Sequence, residues 1–335
     1  MYNITLISGD GIGPEVAEAT KAVVNATGIS INWEEENAGE AVYEATGSLV
    51  PDSVFKSIEK NKIALKGPIT TPIGKGFRSI NVQLRKKYDL FSNVRPVKNY
   101  KGIKGPFDNV NLTIFRENTE GLYIGKEEMV SPDEAHAIKI ITRKGSMRII
   151  KEAFEYAKKH GKTEVTVAHK ANILKLADGL FLECAREVAK DYESIKLREV
   201  IIDNMCMQMV ANPSQFDVIV TMNLYGDILS DLAAGLVGGL GLIPGANIGE
   251  DMAIFEAVHG SAPDIAGKGL ANPTALILSA VMMLDYLGET EKAKIIESAV
   301  EETFAEGKYL TKDLGGNATT IEFTNALIEK IKSKI

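Results

Sequence analysis

Short apolar, β-branched runs alternate along this chain with longer stretches of helical periodicity. Residues 4–8, 31–33, 62–67, 111–115, 138–142, 163–168 and 216–222 read as strands, each bounded by polar or turn-forming residues. Helices are expected from Pro14 to about Val24, up to Val42, from Asp52 onward, around Arg85, over 144–159, from Ile228 to Leu240 and after Pro273. Strands and helices in alternation predict an α/β protein. A glycine- and hydroxyl-rich stretch, 68–76, and a long one rich in Gly, Pro and polar side chains, 255–273, interrupt it. Loops of that kind at strand ends are where α/β proteins bind ligands.

The first strand runs into Gly9-Asp-Gly-Ile-Gly-Pro-Glu15. This lacks the spacing in which a last glycine packs the helix on the sheet in a dinucleotide fingerprint. A tight turn with Pro14 at the helix start explains it, so no Rossmann site is expected. The 335 residues suffice for two domains or one large α/β unit, and no repeat or linker marks a boundary. A net charge of −7 disfavours non-specific nucleic-acid binding but leaves room for a local basic pocket holding an acidic ligand. Two cysteines, Cys184 and Cys206, in no metal-binding pattern fit a reducing compartment. No apolar run is long enough to span a membrane. These features lead to the expectation of a cytoplasmic protein.

The strongest chemical signal is Asn223-Leu-Tyr-Gly-Asp-Ile-Leu-Ser-Asp231. On a helix, Asp227 and Asp231 would project from one face, about 6 Å apart along the axis. Two hard oxygen donors suit Mg²⁺ or Mn²⁺. Helix capping competes, and for Asp227 alone it is the preferred reading. Asp203, just past a strand-like segment, is a candidate third ligand. Arg85, Arg95 and Arg116, with Tyr123 nearby in sequence, suggest guanidinium forks for carboxylates or phosphates. Ser79 and Asn81 would share a polar helix face with Arg85. Lys170 follows an apolar strand, which favours partial burial over an ordinary surface position. His259, taken alone, reads as a satisfied core histidine.

Taken together, these residues resemble the β-decarboxylating dehydrogenases of isocitrate, isopropylmalate and homoisocitrate. The likeness runs from Gly9–Glu15 to Asp313-Leu-Gly-Gly316, and its most specific blocks are 223–231 and His259-Gly-Ser-Ala-Pro-Asp264. The resemblance implies a two-domain, non-Rossmann α/β fold. Residues 1–98 and 250–335 would form a large domain on the cofactor side, and 99–249 a smaller domain with the dimer interface. A homodimer or higher homo-oligomer would share active sites, so that Lys170 and Asp203 serve the partner's site. Asp203, Asp227 and Asp231 would then bind Mg²⁺ or Mn²⁺, with Tyr123 and Lys170 catalytic. Ser79, Asn81, Arg85, Arg95 and Arg116 would bind the substrate. Isocitrate is favoured, because Ser79 and Asn81 match the residues that hold its γ-carboxylate. Arg78 keeps homoisocitrate as the alternative, and the missing apolar residues disfavour isopropylmalate. Thr70, Glu256, His259, Gly260, Asp264, Ile265 and Asn272 would bind the dinucleotide. Asp264-Ile265, where NADP enzymes carry a lysine–tyrosine pair, point to NAD. A non-catalytic regulatory subunit is the alternative of a different class.

Overall fold

The computed structural model describes residues 1–70 and 79–335. Among them are twelve strands: β1 (Tyr2–Ile7), β2 (Ile31–Glu36), β3 (Ile63–Lys66), β4 (Ser92–Lys98), β5 (Asn111–Glu117), β6 (Glu127–Ser131), β7 (Glu134–Ala137), β8 (Glu164–His169), β9 (Lys196–Ile201), β10 (Val218–Thr221), β11 (Pro244–Ile248) and β12 (Ala253–Ala257). Ten make one sheet in the order β2-β1-β3-β12-β11-β4-β5-β10-β8-β9, and β6 pairs with β7 alone. The first four strands of that order are mutually parallel, as are the last four. Three successive antiparallel pairings join them, β12 with β11, β11 with β4, and β4 with β5. Three reversals make the two halves run in opposite directions. This is not the uniformly wound sheet of a Rossmann fold.

The sheet is buried on both faces except at its edge strands β2 and β9. Its central strands accordingly read as continuous apolar runs, such as Val218–Thr221, buried throughout. A second, smaller core lies beneath the helices Asp52–Asn61 and Ile80–Lys87, where Val54, Ile58, Ile80 and Leu84 meet Ile7 and Ile254. By anchoring Ile80 and Leu84, this core fixes where the adjacent Arg85 enters the protein.

Several expectations need correction. Residues 138–142 are not a strand: one bridge joins Gly121 to Ile140, and Ile138 stays exposed because no sheet edge covers it. Residues 255–257, read as loop, belong to buried β12. The acid-bearing helix spans Asn223–Val237, not 228–240, and ends at Gly238 in the left-handed region. The β6–β7 hairpin and β11 carry no apolar run that would have announced them.

Candidate active site

The helix Asn223–Val237 buries Leu229, Ala233, Leu236 and Val237. This packing leaves Asp227 half-buried and Asp231 exposed. Because the helix begins at Asn223, Asp227 lies in its second turn, and the capping reading fails. The Asp227 carboxylate instead accepts from Arg116 Nη1 at 2.5 Å and from the Tyr123 hydroxyl. Arg116, 1% exposed on β5, donates further to the Asn223 carbonyl at 2.9 Å and to Asn223 Oδ1 at 2.8 Å. Arg95 donates to Ser230 and stands 3.9 Å from both Asp227 and Asp231. Gly226 is required here: a Cβ at that position would come within 2.6 Å of Arg116 Cβ and 2.5 Å of its Cγ.

Burial and the neighbouring guanidiniums both lower the affinity of Arg95 and Arg116 for their protons. Burial also raises the Asp227 carboxyl, but Arg116, Tyr123 and Arg95 outweigh it and keep the group ionised. Burial, and then the hydrogen bond to Asp227, push the Tyr123 phenol up, so it holds its proton at neutral pH.

Arg85 lies beside this group and reaches Glu256 Oε1 at 3.3 Å, while Lys66 reaches Glu256 Oε2 at 2.7 Å. Asn247 donates to Glu256 Oε1 at 2.8 Å and accepts from Asn93 and Asn118, each at 2.9 Å. Burial acts to raise the Glu256 carboxyl, yet Lys66 and Arg85 prevail and hold it at about 2. Over these residues opens a cavity of about 170 Å³, lined by Asn81, Arg85, Arg95, Glu256, His259 and others. Asn81 Oδ1 and the Nε atoms of Arg85 and Arg95 are enclosed there without partners, so the wall offers unused hydrogen-bonding capacity. Ser79, exposed at the N-terminus of its helix, is not in that lining, and Arg78 lies outside the described residues.

A second cavity, about 660 Å³, shares His259 and Gly260 with the first. Ile12, Ile265 and Leu270 supply apolar wall, and Asn272, Lys312 and Asp313 supply polar groups. Such a mix fits a nucleotide-sized ligand. His259 is not the satisfied core histidine its sequence context suggests. Nδ1 faces the Gly260 carbonyl at 2.9 Å, and Nε2 is enclosed and unpartnered. Burial lowers the imidazole's affinity for a proton. Asn272 donates to Asp313 at 2.9 Å. Thr70 and Ser261 share a hydroxyl hydrogen bond at 2.6 Å, and Asp10 accepts from Thr70 N at 2.9 Å. Gly11, at φ +60, lies so close to the Ser261 carbonyl that a Cβ would sit 2.0 Å from the oxygen. The glycines of the first loop thus serve close packing. Asp264 is exposed and does not line either cavity.

Lys170 and Asp203 pair with each other, and neither lines either cavity. Lys170 is half-buried after β8, and Asp203 is exposed in the first turn of the helix Ile202–Ala211. Among the described residues of one chain no three acidic, histidine or cysteine side chains converge as a metal site. Asp227 and Asp231 are nonetheless hard carboxylates one turn apart, 39% and 63% exposed, which fits an oxygen-preferring cation that keeps water or substrate oxygens. Lys66, Asn93, Asn247, Lys312 and Asp313 were not anticipated. Only Asp313 had a signal, its place in the Asp313–Gly316 block.

The sequence profile described as isocitrate/isopropylmalate dehydrogenase matches residues 3–331. The mitochondrial NAD isocitrate dehydrogenase catalytic subunit 5 of Arabidopsis thaliana is 55% identical over 98% of this chain and 88% of its own length. A mitochondrial protein of Dictyostelium discoideum, named as a regulatory subunit of NAD isocitrate dehydrogenase, is 53% identical, covering 100% of this chain and 93% of its own. The crystal structure of isocitrate dehydrogenase from Methylococcus capsulatus superposes with a TM-score of 0.95 at 51% identity, over 99% of this chain and 100% of that one. The cytoplasmic expectation is contradicted by the mitochondrial names of the curated relatives. Unpaired cysteines indicate a reducing environment without distinguishing one reducing compartment from another. Among the described residues no helix is long and apolar enough to cross a membrane.

Proposed function

The chain belongs to the isocitrate/isopropylmalate dehydrogenase family, and from that premise we propose that it oxidises isocitrate with NAD, yielding 2-oxoglutarate and CO₂. The observation that carries this reading is the charge of the buried site. Arg85, Arg95, Arg116 and Lys66 are all less than a tenth exposed, and among the described residues the carboxylates that pair with them are buried Glu256 and the more exposed Asp227 and Asp231. On a chain of net charge −7, so many enclosed cations call for a polyanionic ligand. A tricarboxylate of cavity size answers that need.

Arg85, Arg95 and Arg116 bind the substrate carboxylates and orient C2 toward the nicotinamide, while Asn81, and Ser79 beside it, recognise the γ-carboxylate. The C2 hydrogen leaves as hydride to NAD, and the partner subunit's Lys170 takes the hydroxyl proton. CO₂ then departs, and its bonding electrons pass into an enolate. Tyr123, which keeps its proton at neutral pH, delivers a proton to the carbon that lost CO₂. Asp227 and Asp231, with Asp203 of the partner subunit, would hold Mg²⁺ or Mn²⁺. When bound, that ion withdraws charge from the substrate oxygens as a Lewis acid. The larger cavity would hold NAD, with His259, Gly260, Ile265 and Asn272 of its wall toward the adenosine. Thr70 and Glu256 would serve the nicotinamide ribose, and exposed Asp264 the adenosine, from outside that wall.

Division of residues 1–98 and 250–335 from 99–249 is supported by the sheet order, in which only β4 and β11 cross that partition. A homodimer or higher homo-oligomer through the smaller part is supported by Met207, Val210 and Ile228, which are 56%, 52% and 49% exposed on two neighbouring helices.

The test is NADH formation by the purified chain with Mg²⁺, offering isocitrate, homoisocitrate and isopropylmalate in parallel, then repeating with NADP. A kcat/KM preference for isocitrate with NAD supports the reading, and preference for homoisocitrate overturns the roles of Ser79 and Asn81. The regulatory name of the Dictyostelium relative favours a second reading, a subunit that modulates another. Purified chain inert alone, but active in mixture with a catalytic subunit, would establish that instead.

A further inference from the structure

Asp178 is a buried carboxylate that the proposed chemistry does not use. It is the second residue of the helix Ala177–Ala189 and is 0% exposed. Its Oδ2 accepts the backbone N–H of Lys170 at 2.7 Å, and its Oδ1 pairs with Lys139 Nζ. The Lys170 carbonyl in turn accepts from Ile173 N and Leu174 N, both at 2.9 Å. Both peptide units around the Lys170 Cα are therefore held, and the direction in which its side chain leaves the backbone is set. Beyond its backbone, the hydrogen bond that Lys170 makes through its side chain is to exposed Asp203. Lys139 sits 4.5 Å over the ring of Tyr225 and 3.4 Å from its hydroxyl. Tyr225 lies on the Asn223–Val237 helix, two positions before Asp227.

We propose that Asp178 is a positioning residue for Lys170, and that Lys139 and Tyr225 tie it to the helix bearing Asp227 and Asp231. The inference rests on the reading of Lys170 as the base. A buried carboxylate without a cation is costly, and Lys139 supplies the counter-charge beside Asp178 inside the fold. Its function is geometric: a loop-borne ammonium that must meet a hydroxyl in another subunit's site needs a fixed origin.

Two charge-neutral pairs test this without leaving an unpaired buried ion. Asp178→Asn/Lys139→Met keeps an acceptor for the Lys170 amide, whereas Asp178→Leu/Lys139→Met does not. The Asn pair is expected to retain kcat, and the Leu pair to lose about a hundredfold while KM for isocitrate and NAD stays within about threefold. Equal kcat in the two pairs overturns the proposal. Should the Leu pair not fold, hydrogen–deuterium exchange of the unaltered protein decides: the Lys170 amide is expected to be protected, and exchange at the rate of a free loop overturns it. Lys170→Met separates the two readings. Near-normal turnover there removes the base assignment, while collapse there with full activity in the Leu pair removes the positioning role alone.

Discussion

Replacing Glu256 by glutamine would remove the buried anion that faces Lys66 and Arg85, at 2.7 and 3.3 Å, while keeping the shape of the side chain. The carboxyl is held down from 4.5 to about 2, a difference worth about 3 kcal/mol of folding stability. That agrees with the roughly 3–5 kcal/mol lost when one partner of a buried ion pair is removed. The sign follows from the depressed folded-state value. The contribution is complete above pH 4.5, where the unfolded carboxyl is also ionised, and is lost as the pH falls toward 2. Urea unfolding at one fixed protein concentration reads the effect. With a slope of about 3 kcal/mol per M, the midpoint of Glu256→Gln should fall by about 1 M at pH 7. At pH 4 the gap to the unaltered protein should narrow by about 1 kcal/mol. A gap below about 1 kcal/mol at pH 7, or one that widens on acidification, refutes the charge argument.

Other expectations are as direct. Lys170→Met should cut kcat by at least about a hundredfold while isocitrate binding, measured by calorimetry, changes little; normal turnover contradicts the role. Gly226→Ala must displace the stem of Arg116, so KM for isocitrate should rise by about tenfold or more in a folded protein. An unchanged KM would show that Arg116 does not hold substrate. Asn272→Ala should raise KM for NAD by about tenfold and leave that for isocitrate alone. Equal effects on both would place Asn272 elsewhere. Chelation of divalent ions should abolish NADH formation and added Mn²⁺ or Mg²⁺ restore it, with Asp231→Asn needing more metal; activity in excess chelator removes the metal assignment.

Local pattern settled much about this protein. Alternating apolar runs and helical periodicity announced an α/β fold because a buried strand and an amphipathic helix each write their own period into the sequence. The spacing of Asp227 and Asp231 placed both on one helix, and the Gly9–Glu15 turn was separable from a dinucleotide fingerprint by spacing alone. Only the tertiary structure decided which distant groups meet. The pairing of Lys66 with Glu256, of Arg85 with the same carboxylate, and of Arg116 with Asn223 depends on sheet order, and no local period encodes that order. For the same reason β12 read as loop: its burial comes from β3 and β11 on either side, not from its own short run. The β-branched run at 138–142 failed in the opposite sense, since strand propensity without a sheet edge to join makes one bridge and no ladder. Asp178 is the clearest case. Its carboxylate could have been an ordinary first-turn acid of a helix, and only the folding of that helix against β8 carried it inside to hold Lys170.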